Sequence, residues 1–410
     1  MPEFYDKLLL DIIKCQLFGG AAPKLSAEDV SEIIKEAKAQ TVYMLVLAFL
    51  RENCGQILSE CFPEIAEDFF GGVISNTKNF MEHDELHRLM TSNKIPYVAI
   101  KGLSSAYYYP EPALREMGDV DFLVYREDFE RAKQVVLNAG FEVDHGDDED
   151  SIHISFSRYP GSIWEQHRSI NGIPDGKAGD LIREEMGRCI ETARQIESDG
   201  AVCMIPDGFH HGLIMLLHMI SHLTSEGIGL RHLCDWAVFA DKIDNDDFVE
   251  LFKNKLERFG VWRFAQLVTS ACEKYLGIAH KPWAENREFG EETLEELIGD
   301  ILSGGNFGKK DLNRYREIKY ISNRGERTVD NKNLFSQLFG TLNKKTYSDY
   351  QWIKKYKVFL PLGWIAEGGR YLGFLISGRR KNSGTVSMLR EASKRKELYS
   401  KMKLFEPGTD

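Results

Sequence analysis

The sequence predicts an α+β protein: a small mixed sheet flanked by largely α-helical N- and C-terminal regions. Three observations predict it. Apolar residues recur at helical spacing through the first ninety positions, with few breakers. From Ile95-Pro96 to Ser169, short apolar runs alternate with short helical stretches and turn residues. Beyond residue 180 the helical pattern resumes. The chain of 410 residues is too long for one small domain. The pattern divides it into a helical region over 1–92, an α/β core over 93–200, a helical region over 201–302 and a helical, partly basic tail over 303–410.

Taken in order, residues 4–18 carry Phe4, Leu8, Ile12 and Leu17 on one helical face. Ser26 followed by Asp29 has the form of a helix N-terminus, with Ser31 as the alternative start. Residues 29–53 and 62–92 read as helices. Pro96 stops the helical pattern, and residues 97–100 form a strand. A short helix over 103–109 ends at Pro110 and Pro112. Residues 119–124 are a second strand. The amphipathic stretch 127–139 ends at Gly140, a C-cap signal. A short strand over 141–143 follows. Residues 152–157 and 162–169 then form a hairpin around Tyr159-Pro160-Gly161. Helices are expected over 209–223, 230–243, 247–255, 262–276 and 291–301. Residues 303–309 are glycine-rich and read as a flexible break. In the tail, residues 358–375 read as amphipathic helix, and Arg379-Arg380-Lys381 is a basic cluster.

Composition bounds the function. Hydrophobic residues make up 43% and charged residues 28%, as in ordinary globular proteins. The net charge of −11 argues against a general nucleic-acid binder, whose footprint is basic. The seven cysteines are scattered, with no Cys-x-x-Cys, which reads as reduced thiols rather than a disulfide framework or zinc site. The first twenty residues lack a basic segment before a long apolar core, so no signal peptide is expected. The longest apolar runs are too short to span a bilayer. Together these readings predict a cytoplasmic protein without a transmembrane segment.

The chemistry concentrates in two stretches. Residues 98–102 are Val-Ala-Ile-Lys-Gly, and residues 115–124 are Arg-Glu-Met-Gly-Asp-Val-Asp-Phe-Leu-Val. On an extended strand, side chains alternate between faces. Asp119 and Asp121 then share one side, and Val120, Phe122 and Val124 the other. Two neighbouring carboxylates repel, and burying them uncompensated costs several kcal/mol. A divalent ion with oxygen ligands is the usual compensation; the alternative is a solvated strand edge. Glu165 and His167 fall on one face of a later strand, where Glu165 completes a three-carboxylate site. His167 either orients Glu165 or substrate, or is structural. At Lys101-Gly102, the glycine lets backbone approach a ligand, and N–H groups of the next turn can meet phosphate oxygens. The plain alternative is a strand-to-helix turn with a surface lysine. Arg115 either binds triphosphate or neutralises the acidic cluster. His211, Met215, His218 and His222 share a helical face. A His-x-x-x-His pair can chelate zinc, but this helix is apolar and lacks the glutamate after its first histidine, which favours core histidines. Arg231 and Asp235, four apart, are expected to pair on their helix. Trp164 and Trp236 read as core residues.

These motifs carry a resemblance. Ile-Lys-Gly, Leu-Arg followed by Gly-Asp-Val-Asp-Phe-Leu-Val, an amphipathic helix ending in Ala-Gly-Phe, and Trp-Glu-Gln-His resemble the uncharacterised nucleotidyltransferase family of the DNA polymerase β-like superfamily. Leu216–His222, Leu230–Asp235 and Pro-Leu-Gly-Trp-Ile at 361–365 are similar to that family's helical and C-terminal parts. The resemblance implies a nucleotidyltransferase sheet, Mg²⁺ (or Mn²⁺), and transfer of a nucleoside monophosphate from a triphosphate such as ATP with pyrophosphate release. Asp119, Asp121 and Glu165 are then the metal-binding and catalytic carboxylates. Lys101, Gly102, Ser104, Arg115 and His167 are the expected nucleotide-binding set. The superfamily's usual Gly-Ser turn is here Lys101-Gly102-Leu103, with Ser104 and Ser105 displaced. That departure motivates a second reading, a nucleotide-binding scaffold without turnover. A third is a metal-dependent phosphohydrolase using the same carboxylates. The acceptor is left open, a small molecule or protein being favoured over long nucleic acid.

Overall fold

The computed structural model describes residues 3–147, 151–310 and 395–406. Five helices come first: α1 (Phe4–Phe18), α2 (Ala27–Gln40), α3 (Tyr43–Asn53), α4 (Gly55–Cys61) and the long α5 (Ile65–Ser92). The core follows as β1 (Tyr97–Ala99), the short turn α6 (Leu103–Ala106), β2 (Val120–Val124), α7 (Phe129–Asn138), β3 (Glu142–His145), β4 (His153–Arg158) and β5 (Ser162–His167). Then come α8 (Lys177–Met186), a hairpin of β6 (Arg194–Ser198) and β7 (Ala201–Ile205), α9 (Gly208–Leu223), α10 (Leu230–Asp241), α11 (Asn245–Phe248), α12 (Asn254–Phe259), α13 (Trp262–Leu276) and α14 (Glu291–Gly304). The expected α+β class holds.

The five core strands form one mixed sheet in the order β1-β2-β5-β4-β3. β2 runs parallel to β5, and the other neighbours are antiparallel. On one face, Val120, Phe122, Val124, Phe156 and Trp164 bury against Phe80, Leu86 and Met90 of α5 and against α7. Leu123, from the opposite phase of β2, belongs to the larger core shared with α9, α10 and α13. The sheet therefore separates two apolar layers. The face carrying Asp119 and Asp121 looks toward the helices that follow it.

Three local expectations change. Residues 29–53 are two helices, broken where Thr41 adopts a left-handed backbone. Contacts from distant residues fix that break: Asn306 donates to Thr41 Oγ1 at 2.8 Å, and Glu116 accepts from the Tyr43 N–H. The region after 180 is not purely helical, because β6 and β7 pair around Asp199-Gly200. Both turn residues have positive φ, 48° and 77°, as a two-residue hairpin turn requires. Residues 303–309 are the last residues of α14 followed by a packed turn rather than a flexible break: Asn306 is buried, and Phe307 sits edge-on to His222. Residues 395–402 are helical and dock by Leu398, Tyr399 and Met402, with Arg395 paired to Asp300 at 2.7 Å. The expected features at 358–375, 361–365 and 379–381 lie outside the described residues.

Candidate active site

A cleft opens between the β1–β2 side of the sheet and helices α9 and α10. Lys101, Gly102, Ser105, Asp119 and Asp121 line the sheet wall. Met215, His218, Arg231 and His232 line the helical wall. Asp119 lies just before β2, and Asp121 lies within it. The parallel register sets Asp121 directly beside Glu165 of β5. Ligand atoms of Asp119, Asp121 and Glu165 all fall within 4.8 Å of one another.

The electrostatics follow from that crowding. Asp121 is almost wholly buried (1% exposed). Burial pushes its pKa upward, but Lys101 Nζ at 3.0 Å and His167 Nε2 at 2.8 Å outweigh it, and the net shift is downward. Burial likewise works against charge on Lys101 and His167. The adjoining carboxylates reverse this and raise both. Among the described residues Asp119 has no hydrogen-bonded cation, and the charge of Lys101 offsets its environment only in part. Repulsion from Asp121, then burial, raises its pKa to about 6. The cluster thus has one carboxylate whose charge the protein leaves poorly compensated. Its donors are hard oxygens, which suit Mg²⁺.

The Lys-Gly turn is held from behind by His83. This fully buried imidazole bonds Asn79 O through Nδ1 at 2.9 Å and accepts from the Leu103 N–H through Nε2 at 3.4 Å. Burial lowers its pKa to about 4, so it is neutral at pH 7. Gly102 has φ +63°, and a Cβ there would stand 2.9 Å from His83 Cε1, so the position requires glycine. The backbone N–H groups expected to cradle phosphate are already engaged: Leu103 by His83, Ser104 by Lys101 O at 3.3 Å, and Ser105 by Gly102 O at 3.2 Å. Ser104 is buried, with its hydroxyl donated to Lys101 O; its neighbour Ser105 reaches the cleft wall.

Arg115 is buried in the same wall. It makes a bidentate pair with Asp235 of α10, at 2.7 Å from Nε and 2.8 Å from Nη2, and Tyr109 donates to the same carboxylate at 2.7 Å. The guanidinium is paired with Asp235 and not with the Asp119/Asp121 cluster that one of its two readings had it neutralise. The expected Arg231–Asp235 helix pair is absent, because Arg115 and Tyr109 occupy Asp235. Arg231 donates only weakly, to Glu116 O at 3.3 Å, and its Nε is buried without a partner. Burial and the nearby Arg115 lower its pKa. Among the described residues no carboxylate pairs with it, and it faces the cleft. Sequence reasoning missed this residue because helical spacing offered Asp235 as its partner.

The helix histidines, expected to be core residues, pack against neighbouring rings. His211 is buried and stacks on Tyr108 at 5.0 Å. His218 and His222 share a hydrogen bond at 2.9 Å between their Nε2 atoms. Among the described residues, three-residue groups of metal-capable side chains within 4.8 Å occur twice, and neither group includes these histidines. Trp164 and Trp236 are core residues, and all seven cysteines are free.

Carboxylates on two neighbouring strands, beside a cleft lined by an arginine with no paired carboxylate among the described residues, define a candidate divalent-ion site. Over residues 26–277 the chain matches the family described as uncharacterised nucleotidyltransferase, and it belongs to that family. Comparison with curated proteins gives no match. Among the described residues, no helix is long and apolar enough to cross a membrane.

Proposed function

We propose that the protein is a Mg²⁺-dependent nucleotidyltransferase, moving a nucleoside monophosphate from a nucleoside triphosphate to an acceptor hydroxyl and releasing pyrophosphate. The observation that carries this reading is the convergence of Asp119, Asp121 and Glu165 on one sheet face, in a chain of nucleotidyltransferase family. Those three carboxylates would hold the metal, with Mn²⁺ as an alternative. When bound, the ion neutralises phosphate charge and polarises the attacked phosphorus. Lys101 and Arg231 supply the cleft with positive charge for the triphosphate. His167, bonded to Asp121 and 3.3 Å from Glu165, fixes the orientation of both carboxylates. Glu165 takes the proton of the acceptor hydroxyl. The acceptor oxygen bonds the α-phosphorus as the bond to the β-phosphate oxygen breaks, and pyrophosphate leaves.

One observation favours a second reading, a nucleotide-binding scaffold without turnover: the N–H groups of Leu103, Ser104 and Ser105, just after Lys101-Gly102, are spent within the protein. Calorimetric titration with a non-hydrolysable ATP analogue, with and without Mg²⁺, tests the shared premise. Binding that requires Mg²⁺ and disappears in Asp119→Ala/Asp121→Ala is expected. Binding unchanged in that variant overturns the site. Arg231→Ala should weaken the analogue about tenfold or more while leaving the unfolding midpoint nearly unchanged. Release of pyrophosphate from α-labelled triphosphates separates the two readings, and release of phosphate instead would indicate hydrolysis.

A further inference from the structure

The second metal-capable group among the described residues is His153, Glu165 and His167. It arises from strand register. His153 of β4 stands directly opposite His167 of β5, and Glu165 precedes His167 by two residues. All three side chains therefore rise from one face of the sheet. The two oxygens of Glu165 face different imidazoles: Oε1 is 3.6 Å from His153 Nε2, and Oε2 is 3.3 Å from His167 Nε2. The first distance is too long for a hydrogen bond. Both are close to the roughly 3.3–3.5 Å between ligands of a tetrahedral ion with bonds of about 2.0–2.2 Å. Among the described residues, His153 Nδ1 and His167 Nδ1 are buried with no hydrogen-bond partner. His153 is one-quarter exposed, which gives an ion a path from solvent.

We propose that His153, Glu165 and His167 form a distinct metal position that takes a divalent transition ion such as Zn²⁺ or Co²⁺ in preference to Mg²⁺. Two imidazoles and one carboxylate are the donor set such ions favour, whereas Mg²⁺ favours oxygen alone. An ion here takes the place of the Nε2 proton of His167, which leaves to solvent, and so replaces the 2.8 Å bond from that nitrogen to Asp121 that the ion-free protein holds. Glu165 is shared with the carboxylate group, so the two positions adjoin. The position does not depend on nucleotidyl transfer.

The test is titration of tag-free, full-length protein with Co²⁺ in excess Mg²⁺, read by the visible absorption of four-coordinate cobalt. Wild type should give a saturable tetrahedral spectrum that Zn²⁺ abolishes. His153→Ala, and the gentler His153→Gln, should weaken Co²⁺ binding at least about tenfold and lose that spectrum. Asp119→Ala/Asp121→Ala should retain it, even though Mg²⁺-linked nucleotide binding is lost there. No saturable spectrum in wild type, an unchanged spectrum in both His153 variants, or its loss in the aspartate variant overturns the proposal. Failure of nucleotide binding in wild type bears only on the nucleotidyltransferase reading.

Discussion

Arg115 and Asp235 lie 120 positions apart and are both nearly buried, so neither charge has a solvent alternative. Removing one partner of such a pair strands the other and costs about 3–5 kcal/mol, whereas replacing both with apolar residues costs far less. Arg115→Ala should therefore lower the urea midpoint severely, and Arg115→Met/Asp235→Leu should recover much of the loss. Gly102→Ala faces two penalties: a left-handed backbone, worth about 1–3 kcal/mol, and the His83 ring. Adding His83→Ala removes the second penalty alone, so the double variant should lose less than the sum of the singles in the same measurement. At this scale the sequence is informative where the signal is local. The phase of Asp119 and Asp121 follows from a period of two, and Glu165 can be placed on its strand face in the same way. The partner of Arg115 is invisible, because nothing local connects residue 115 to residue 235. His153 escapes for the same reason, since its importance comes from lying across from His167.

Among elements, the helix starts and strands of the core were largely readable. Ser26 caps α2 as its spacing with Asp29 implies: Asp29 N–H donates to Ser26 Oγ at 3.2 Å, and the Asp29 carboxylate accepts from the Ser26 N–H at 2.8 Å. Ser26→Ala should cost about 0.5–2 kcal/mol, measured by chemical denaturation with an unchanged slope. The β6–β7 hairpin had a readable signal in Asp199-Gly200, set between residues of alternating burial. The helical pattern on either side masked it. The division of α2 from α3 had no local signal strong enough to read. Residues 29–53 hold no Gly or Pro to mark a break, and Glu116 and Asn306, brought in by tertiary structure, bond the chain where the helix stops at Thr41.

For the whole molecule, the carboxylate cluster ties stability to pH. In the metal-free protein Asp119 has a pKa near 6, against an ordinary value of 3.8. The folded state thus holds this proton more tightly than the unfolded chain, and the stabilisation it brings is lost as pH rises from about 4 to about 6. Wild type minus Asp119→Asn, compared across that window, should show stability falling with pH, and added Mg²⁺ should reverse the difference above pH 6. Mg²⁺ affinity should rise through the same window. The loop that delivers Asp119 has a further consequence. Asn76 and Asn79 of α5 hold the carbonyls of Ala113, Arg115 and Gly118; Glu116 is bonded to Tyr43 at the start of α3; and Arg115 is fastened to α10. A chimera carrying only the sheet, residues 95–170, into another scaffold would leave every one of these moorings behind. The acidic strand travels intact only with both flanks, and the family match from 26 to 277 takes in all of them.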